Sequence, residues 1–420
     1  MGLLPCPLTS HPKEDSSHST TTHLHSDSSL SSQPSLPSVP SLTSQSQSQF
    51  QSQSQHRLDL VSTLKGHSSP VFSLALAGKH LYSGSSDSEI RSWSRHHSDN
   101  RIVVPSSCSA VKSIVVSANA LFTAHQDHKI RVWKIDTTNH YYPCVKTLPT
   151  VTDRFTRCFC PKDYVQVRRH KKSTWVHHVD AVSALALSRD GSLLYSASWD
   201  RTFKVWRTSD YKCLESVWNA HDDAINTIAS SIDGTVYTGS ADNKIKAWRR
   251  HDEGDKKHRL VDTLEKHKSA VNALALSTDG SVLYSGACDR SVIVWEKGGG
   301  GACGQGRSQN FDEGGGGERQ MTVVGALRGH KKAILCLVVV ADLVCSGSAD
   351  KTVRIWRRGS ERDYSCLAVL EGHRGPVKCL AAAVDTCSGD SNHGSGTSYN
   401  IYSGSLDCDI KVWKAWVPFL

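Results

Sequence analysis

Ser196-Ala197-Ser198-Trp199-Asp200-Arg201-Thr202-Phe203-Lys204-Val205-Trp206 decides the fold, because its skeleton recurs along the chain. An aspartate is followed six residues later by a tryptophan seven times: Asp87/Trp93, Asp127/Trp133, Asp200/Trp206, Asp242/Trp248, Asp289/Trp295, Asp350/Trp356 and Asp407/Trp413. Spacing this regular marks a structural repeat, each copy ending near its tryptophan. Four places before each aspartate stands a small hydroxyl: Ser83, Thr123, Ser196, Thr238, Ser285, Ser346 or Ser403. The position two places before the aspartate reads Ser85, His125, Ser198, Ser240, Ala287, Ser348 and Ser405, and so looks free to vary. An apolar β-former (Ile90, Ile130, Phe203, Ile245, Val292, Val353, Ile410) opens the strand that ends at the tryptophan. The aspartate therefore belongs to a tight turn between two strands.

Upstream, six copies carry a histidine with Val or Ile four positions later: His67, His178, His221, His267, His330 and His373. Copy two has Ser107-Cys108-Ser109-Ala110-Val111 instead. Alternating runs such as Val182-Ser183-Ala184-Leu185-Ala186-Leu187 follow, and Asp190-Gly191, Asp233-Gly234 and Asp279-Gly280 turn the chain back toward the hydroxyl. A recurring His, Ser/Thr, Asp and Trp can be joined by hydrogen bonds from carboxylate to imidazole to hydroxyl to indole. Such bonds contribute roughly 1 kcal/mol each when neutral and about 1.5–3 when charged.

With Gly66-His67, Gly329-His330 and Gly372-His373, the pattern resembles the WD-repeat family of β-propellers from Leu58 to Trp413. One departure is clear: the residue after the tryptophan is Ser94, Lys134, Arg207, Arg249, Glu296, Arg357 or Lys414, never the aspartate of the family name. The resemblance implies an all-β, seven-bladed propeller over residues 58–420 with four strands per blade. The last copy ends too soon for its outer strand, so Leu58 to Leu64 is expected to supply that strand and close the ring. The run Ser196 to Trp206, with a basic insertion before repeat three, is also similar to plant WD-repeat proteins of the JINGUBANG group.

Residues 1–57 are dominated by Ser, Gln, Pro and His, and bury too little apolar surface to offset ordering entropy; they are expected to form a disordered tail. No apolar run is long enough for a secretory signal or a membrane span. The 14 cysteines lack an even framework, which suggests reduced core residues of a cytoplasmic or nuclear protein. Cys158-Phe159-Cys160 has no matching pair, so no metal site is expected. The formal net charge is +9. The tail carries Lys13 and Arg57 against Glu14, Asp15 and Asp27, so the excess lies on the repeats and favours acidic partners.

A Ser/His/Asp triad is disfavoured because one active site does not need six copies. Neither a Gly-Xaa-Ser-Xaa-Gly elbow nor a phosphate loop is present, and the glycine-rich stretch from Glu296 to Gln320 reads as a loop. No enzymatic activity and no cofactor are expected.

Protein binding is the better reading, because a propeller presents a rigid ring of turns. In the family the turn with the aspartate and the loop with the histidine share one face. Trp199 is the aromatic anchor on that face. Around it the same face should carry Arg201, Lys268, Arg290, Lys331, Lys332, Lys351 and Arg374, with Asp180, Asp222 and Asp223 grouped on blades three and four. The expected result is a split rim, acidic and aromatic on one arc and basic on the other. Tyr164 to Val176 reads as an extra hairpin whose tip holds Arg168, Arg169, Lys171 and Lys172. RNA or phosphoinositide binding there is an alternative, though nucleic acid is disfavoured. A ubiquitin-ligase substrate receptor is another; its Trp-Asp-Xaa-Arg signature is missing, with Trp295-Glu296-Lys297-Gly298 the nearest run. The reading is a monomeric, non-catalytic scaffold or regulator for acidic or extended protein segments, in signalling or transcription.

Overall fold

Period-two alternation puts one side chain of each pair toward the neighbouring sheet, and seven such sheets arranged in a ring bury both faces. A computed structural model describes residues 39–43, 57–95, 100–104, 109–117, 119–136, 142–158, 164–168, 171–250, 257–298, 320–359, 363–385 and 395–419. Among them are seven four-stranded antiparallel sheets, each one blade of a propeller. Blade three runs Val182–Leu187, Leu193–Ser198, Phe203–Arg207 and Cys213–Val217 from inside to outside. The inner strand of blade one, Val71–Ala77, packs beside those of both blade two, Val111–Ser117, and blade seven, Val377–Val384, so the ring is closed. Each tryptophan of the repeat is buried between sheets, Trp206 and Trp356 to 1% exposure.

Closure comes from the segment before the first blade. Arg57–Leu64 pairs antiparallel with Ile410–Pro418, from Leu64 opposite Ile410 to Leu58 opposite Ala415, and becomes the outer strand of blade seven. Lys411 Nζ donates to Thr63 Oγ1 across this seam at 3.2 Å.

Every inner strand has a bulge at its second residue: Phe72, Lys112, Ser183, Asn226, Asn272, Leu335 and Lys378 are skipped in the pairing. A bulge re-aims the side chain it releases. Here Ser183 donates to the Ile225 carbonyl, Asn226 to that of Val271 at 3.0 Å and Asn272 to that of Ile334 at 2.8 Å, each tying its blade to the next.

Four features differ from the sequence expectation. First, the third strand does not end at the tryptophan, although the outer strand expected after it is present. The strand of Trp93 runs on to Ser94, which pairs with His80, and that of Trp248 runs on to Arg249, which pairs with Arg259. Each blade then gains an outer strand, Asn100–Val104 after Trp93 and Arg259–Leu264 after Trp248, because the third strand still has a bare backbone edge to fill. Sequence repeat and blade are thus offset by one strand. Second, Glu296 and Lys297 do not belong to a loop: they extend the strand Val292–Lys297 and pair with Thr322 and Met321, since the outer strand Met321–Leu327 offers them backbone partners. Residues 299–319 lie outside the described residues. Third, the insertion holds an eight-residue helix, Val151–Cys158. Its N-terminus is capped by Thr150, whose Oγ1 accepts the Asp153 amide at 3.1 Å, while buried Asp153 also receives the Cys213 amide of blade three. Fourth, the tail is not featureless: Val39–Thr43 lies against blades five and six, with single parallel bridges from Ser41 to Ala326 and from Thr43 to Tyr364. The low apolar content of residues 1–57 conceals this, because only Val39 and Leu42 of the five are apolar side chains able to pack.

Candidate functional site

In six blades the histidine, hydroxyl, aspartate and tryptophan form one chain of hydrogen bonds. In blade three Asp200 accepts from His178 Nδ1 at 3.0 Å, His178 Nε2 meets Ser196 Oγ at 2.9 Å, and Trp206 Nε1 donates to that same oxygen at 2.9 Å. The other five keep the last bond within a tenth of an ångström: Trp93 donates to Ser83 at 2.8 Å, Trp248 to Thr238 at 2.9 Å, Trp295 to Ser285 at 2.8 Å, Trp356 to Ser346 at 2.9 Å and Trp413 to Ser403 at 2.8 Å. A neutral imidazole with its proton on Nδ1 lets every member be satisfied at once. Each aspartate also accepts at least two backbone amides, from the loop after the histidine and from its own turn; for Asp200 these are Val179 and Thr202, both at 2.9 Å. Burial pushes the Asp242 and Asp289 carboxyls up, but the partnering histidines and these amides outweigh it and hold both at about 2. Each of these carboxylates is thus committed to the fold by at least three hydrogen bonds.

In five blades the position two places before the aspartate forms a second clasp. Ser85, Ser198, Ser240, Ser348 and Ser405 are buried; each donates to a carbonyl of the histidine loop at 2.9–3.1 Å and accepts the amide of its aspartate.

Blade two uses that position to repair its missing histidine. His125 is fully buried, and its Nε2 meets Thr123 Oγ1 at 2.8 Å while Nδ1 donates to the Ser109 carbonyl at 3.1 Å. Trp133 still donates to Thr123, at 2.9 Å. Asp127 is released from the chain and forms a bidentate ion pair with Arg131, at 2.6 and 3.2 Å.

These bonds fix which end of the ring carries the candidate residues. Asp222, Lys268, Lys331 and Arg374 directly follow their histidines, and their amides rest on the aspartates of the tetrads. All four side chains are exposed. Lys332, Asp180 and Asp223 continue the same loops; Lys332 and Asp223 are exposed, and Asp180 and Asp223 are turned onto the amides of Ala181 and Ala224. Arg201, Arg290 and Lys351 directly follow their aspartates with φ of 68°, 69° and 73°. Left-handed backbone costs a residue with a Cβ roughly 1–2 kcal/mol relative to its usual conformation. Asn243 fills the equivalent position in blade four at lower cost. The rim is therefore basic on blades five to seven and carries Asp180, Asp222 and Asp223 on blades three and four.

Trp199 is half-buried at the turn of blade three, and its ring faces Lys112 of blade two, whose Nζ lies 5.4 Å from the ring centre and 4.4 Å from that of Phe72. Burial, reinforced by the charge of Lys378, lowers the Lys112 pKa to about 8. Two aromatic rings thus embrace an ammonium at the channel mouth. Sequence reasoning does not find Lys112, Phe72 or Lys378; the signal that identifies them is the bulge position, which only the pairing register reveals.

The insertion does form a hairpin, Tyr164–Arg168 with Lys171–Thr174. Arg168, Lys171 and Lys172 lie on its two strands, and Arg169 lies outside the described residues. It is anchored from below by Lys204, fully buried, which donates to the Trp175 carbonyl and to Ser216 Oγ, both at 2.6 Å. Beside it opens a cleft of about 620 Å³ lined by Lys129, Val151, Arg154, His177 and others. Arg154 donates to His177 there at 3.1 Å, and Val151 and Phe155 are more than half exposed. Among the described residues the one cluster of potential metal ligands is His67, Asp87 and Glu89, which belongs to the blade-one tetrad. Among the described residues no helix is long and apolar enough to cross a membrane.

Comparison with known proteins matches the model of the WD domain, G-beta repeat, at residues 58–94, 169–207, 212–249, 258–296, 321–357 and 364–414. Blade two, with its substituted histidine, lies between the first two matched segments. An uncharacterized WD repeat-containing protein of Schizosaccharomyces pombe is 24% identical over 176 residues, 41% of this chain and 42% of that one. A subunit of chromatin assembly factor 1 of Mus musculus is 29% identical over 27% of this chain and 21% of its own length. Jouberin of Mus musculus is 28% identical over 28% and 12%. The chain thus spans less than half of each of these relatives.

Proposed function

This chain belongs to the WD domain, G-beta repeat family, and on that premise we propose that it is a non-catalytic scaffold or regulator that binds acidic or extended segments of other proteins on the tetrad face of its propeller. The observation that carries this reading is the channel mouth, where Trp199 and Phe72 flank Lys112 beside a rim that is basic over three successive blades. An aromatic wall with a desolvated ammonium suits a carboxylate-bearing peptide: the charge pairs with Lys112 and the aliphatic part lies on the rings. Such a protein acts as a monomer in the cytoplasm or nucleus, and we place it with the plant JINGUBANG group, in signalling or transcription, on the Ser196 to Trp206 run and the basic insertion. A ubiquitin-ligase receptor role is the weaker alternative, because the docking signature is absent from the sequence.

Affinity capture from native plant extract tests the site. Trp199→Ala is expected to weaken retention of a true partner by about 2 kcal/mol, roughly thirtyfold. Arg201→Asn should weaken it less, while leaving the unfolding midpoint unchanged or raised, because asparagine tolerates the left-handed backbone. Partners retained equally by wild type and both variants would place the binding surface elsewhere.

The basic hairpin favours a second reading, binding of RNA or phosphoinositide through Arg168, Arg169, Lys171 and Lys172. Salt separates the two: phosphate binding should fall steeply between about 50 and 200 mM salt, and an aromatic-anchored peptide should fall little. Neutralising the four hairpin residues should abolish the steep component alone.

A further inference from the structure

The outer strand of a propeller blade leaves one row of backbone groups unpaired, and such an edge accepts an added strand. In blade five that edge is occupied. Ala326 donates its amide to the Pro40 carbonyl at 2.9 Å and accepts the Leu42 amide at 3.0 Å. The segment then crosses to blade six, where Tyr364 donates to the Leu42 carbonyl at 3.4 Å, and Arg328 holds the Val39 carbonyl at 3.1 Å. Leu42 packs into the apolar seam with Tyr284, Trp356 and Tyr364, and Val39 into the seam between blades four and five. Ser41 and Thr43 share a hydrogen bond of 2.7 Å on the outside.

The groove is built at one residue. A Cβ at Gly325 would overlap the Leu42 side chain. Gly325 pairs with Val294, and the matching outer-strand position holds Lys146 in blade two, Glu215 in three, Asp262 in four, Ala368 in six and Ser62 in seven. Each of those side chains would stand in Leu42's place. Pro40 has no N–H and a fixed φ, so it begins the added strand without an unpaired donor and lowers the ordering cost.

We propose that the cleft between the outer strands of blades five and six is a peptide-docking site for a short extended segment of the pattern apolar-Pro-hydroxyl-Leu-hydroxyl, with the chain's own Val39–Thr43 as its resident, exchangeable occupant. This site is separate from the tetrad face and stands whether or not that face binds acidic partners. Val39–Thr43 belongs to the same chain as the groove, so it binds in cis and a peptide in trans must compete with it. Release of the latch therefore frees the site for the same pattern presented in trans.

The test uses the full chain and a fluorescein-labelled peptide of residues 37–45, followed by fluorescence polarisation. Leu36-Pro37-Ser38-Val39 nearly repeats Val39-Pro40-Ser41-Leu42, so a single change could be rescued by a slipped register; the release variant is Val39→Asp with Leu42→Asp. The probe should bind this variant at least about tenfold more tightly than wild type, whose site is filled in cis. Adding Gly325→Val to the release variant should abolish probe binding, and a probe carrying Leu42→Asp should fail on the unaltered groove. Hydrogen exchange at the Ala326 amide should accelerate in the release variant and slow again with probe. Equal affinity for wild type and release variant, no binding to the release variant, or an unchanged Ala326 exchange rate would each overturn the proposal.

Discussion

Asp200→Ala is expected to lower the free energy of unfolding by about 3–5 kcal/mol, and Asp127→Ala by about 1 kcal/mol or less, although both hold the same place in the repeat. Asp200 is 1% exposed at its side chain and serves buried His178, two backbone amides and the buried Thr202 hydroxyl; its removal leaves all of them without this partner. Burial pushes its carboxyl up, but the interaction with the His178 imidazole, the nearby Lys204 charge and the Thr202 hydroxyl outweigh it and leave it far below the usual range, so the ionised form is what the fold binds. Asp127 has a side chain 28% exposed and a single charged partner, Arg131, which water can serve after the change. Urea unfolding of the two variants decides the matter. Equal losses would mean that blade two keeps an ordinary tetrad and that the His125 exchange is unimportant.

His125→Ala is the second large effect, about 2–3 kcal/mol at pH 7, from a cavity and two broken hydrogen bonds. Its pH dependence is more telling. Burial, aided by the nearby Arg131 charge, lowers the folded pKa of His125 to about 4 from an ordinary 6.5. Between these values the unfolded chain takes a proton that the folded chain refuses, so stability falls as pH drops from 6.5 toward 4. The wild type should lose on the order of 2 kcal/mol from this group between pH 7 and pH 5, and His125→Ala should lose none of that part. His178 is lowered too, again by burial, and adds a parallel loss in both proteins, so the difference between them isolates His125. The tetrad aspartates lie outside this window: their depressed carboxyls give stability that persists above their ordinary pKa and disappears only below about pH 4. Chemical denaturation of both proteins at pH 7, 6 and 5 would show parallel curves if His125 were not the source.

The architecture is legible because seven aspartate and tryptophan pairs keep one spacing, and closure by Leu58 to Leu64 follows from counting strands. What stays hidden depends on register. His125 reads as ordinary variation at a loose position, and only pairing of Val111 with His125 places its ring where the missing histidine would reach. Lys112 reads as a polar residue in an alternating strand until the bulge turns it into the channel mouth. The tryptophans mark the repeat, and the outer strand Arg259–Leu264 is legible from the apolar pattern of Leu260 to Leu264 that it shares with Leu58 to Leu64, whereas Asn100–Val104 after Trp93 carries no such pattern. Composition conceals the docked segment for a different reason: its affinity lies in backbone hydrogen bonds and in the space at Gly325, neither of which local hydrophobicity reports. The rim residues are placed on one face by repeat position: Asp222, Lys268, Lys331 and Arg374 are tied to the tetrad aspartates by their backbone amides rather than by their side chains.

The pairing of Arg57 with Trp416 joins a strand that precedes all seven blades to one that follows the other six, and this governs how the protein must be made. During synthesis the closing strand leaves the ribosome before any blade, yet its partner emerges only after six of them. Those blades grow as an open arc with a bare sheet face at each end, and the latest, most non-local contact sets the pace of completion. Until Ile410–Pro418 has emerged, an unpartnered Leu58 to Leu64 is the segment a chaperone should find.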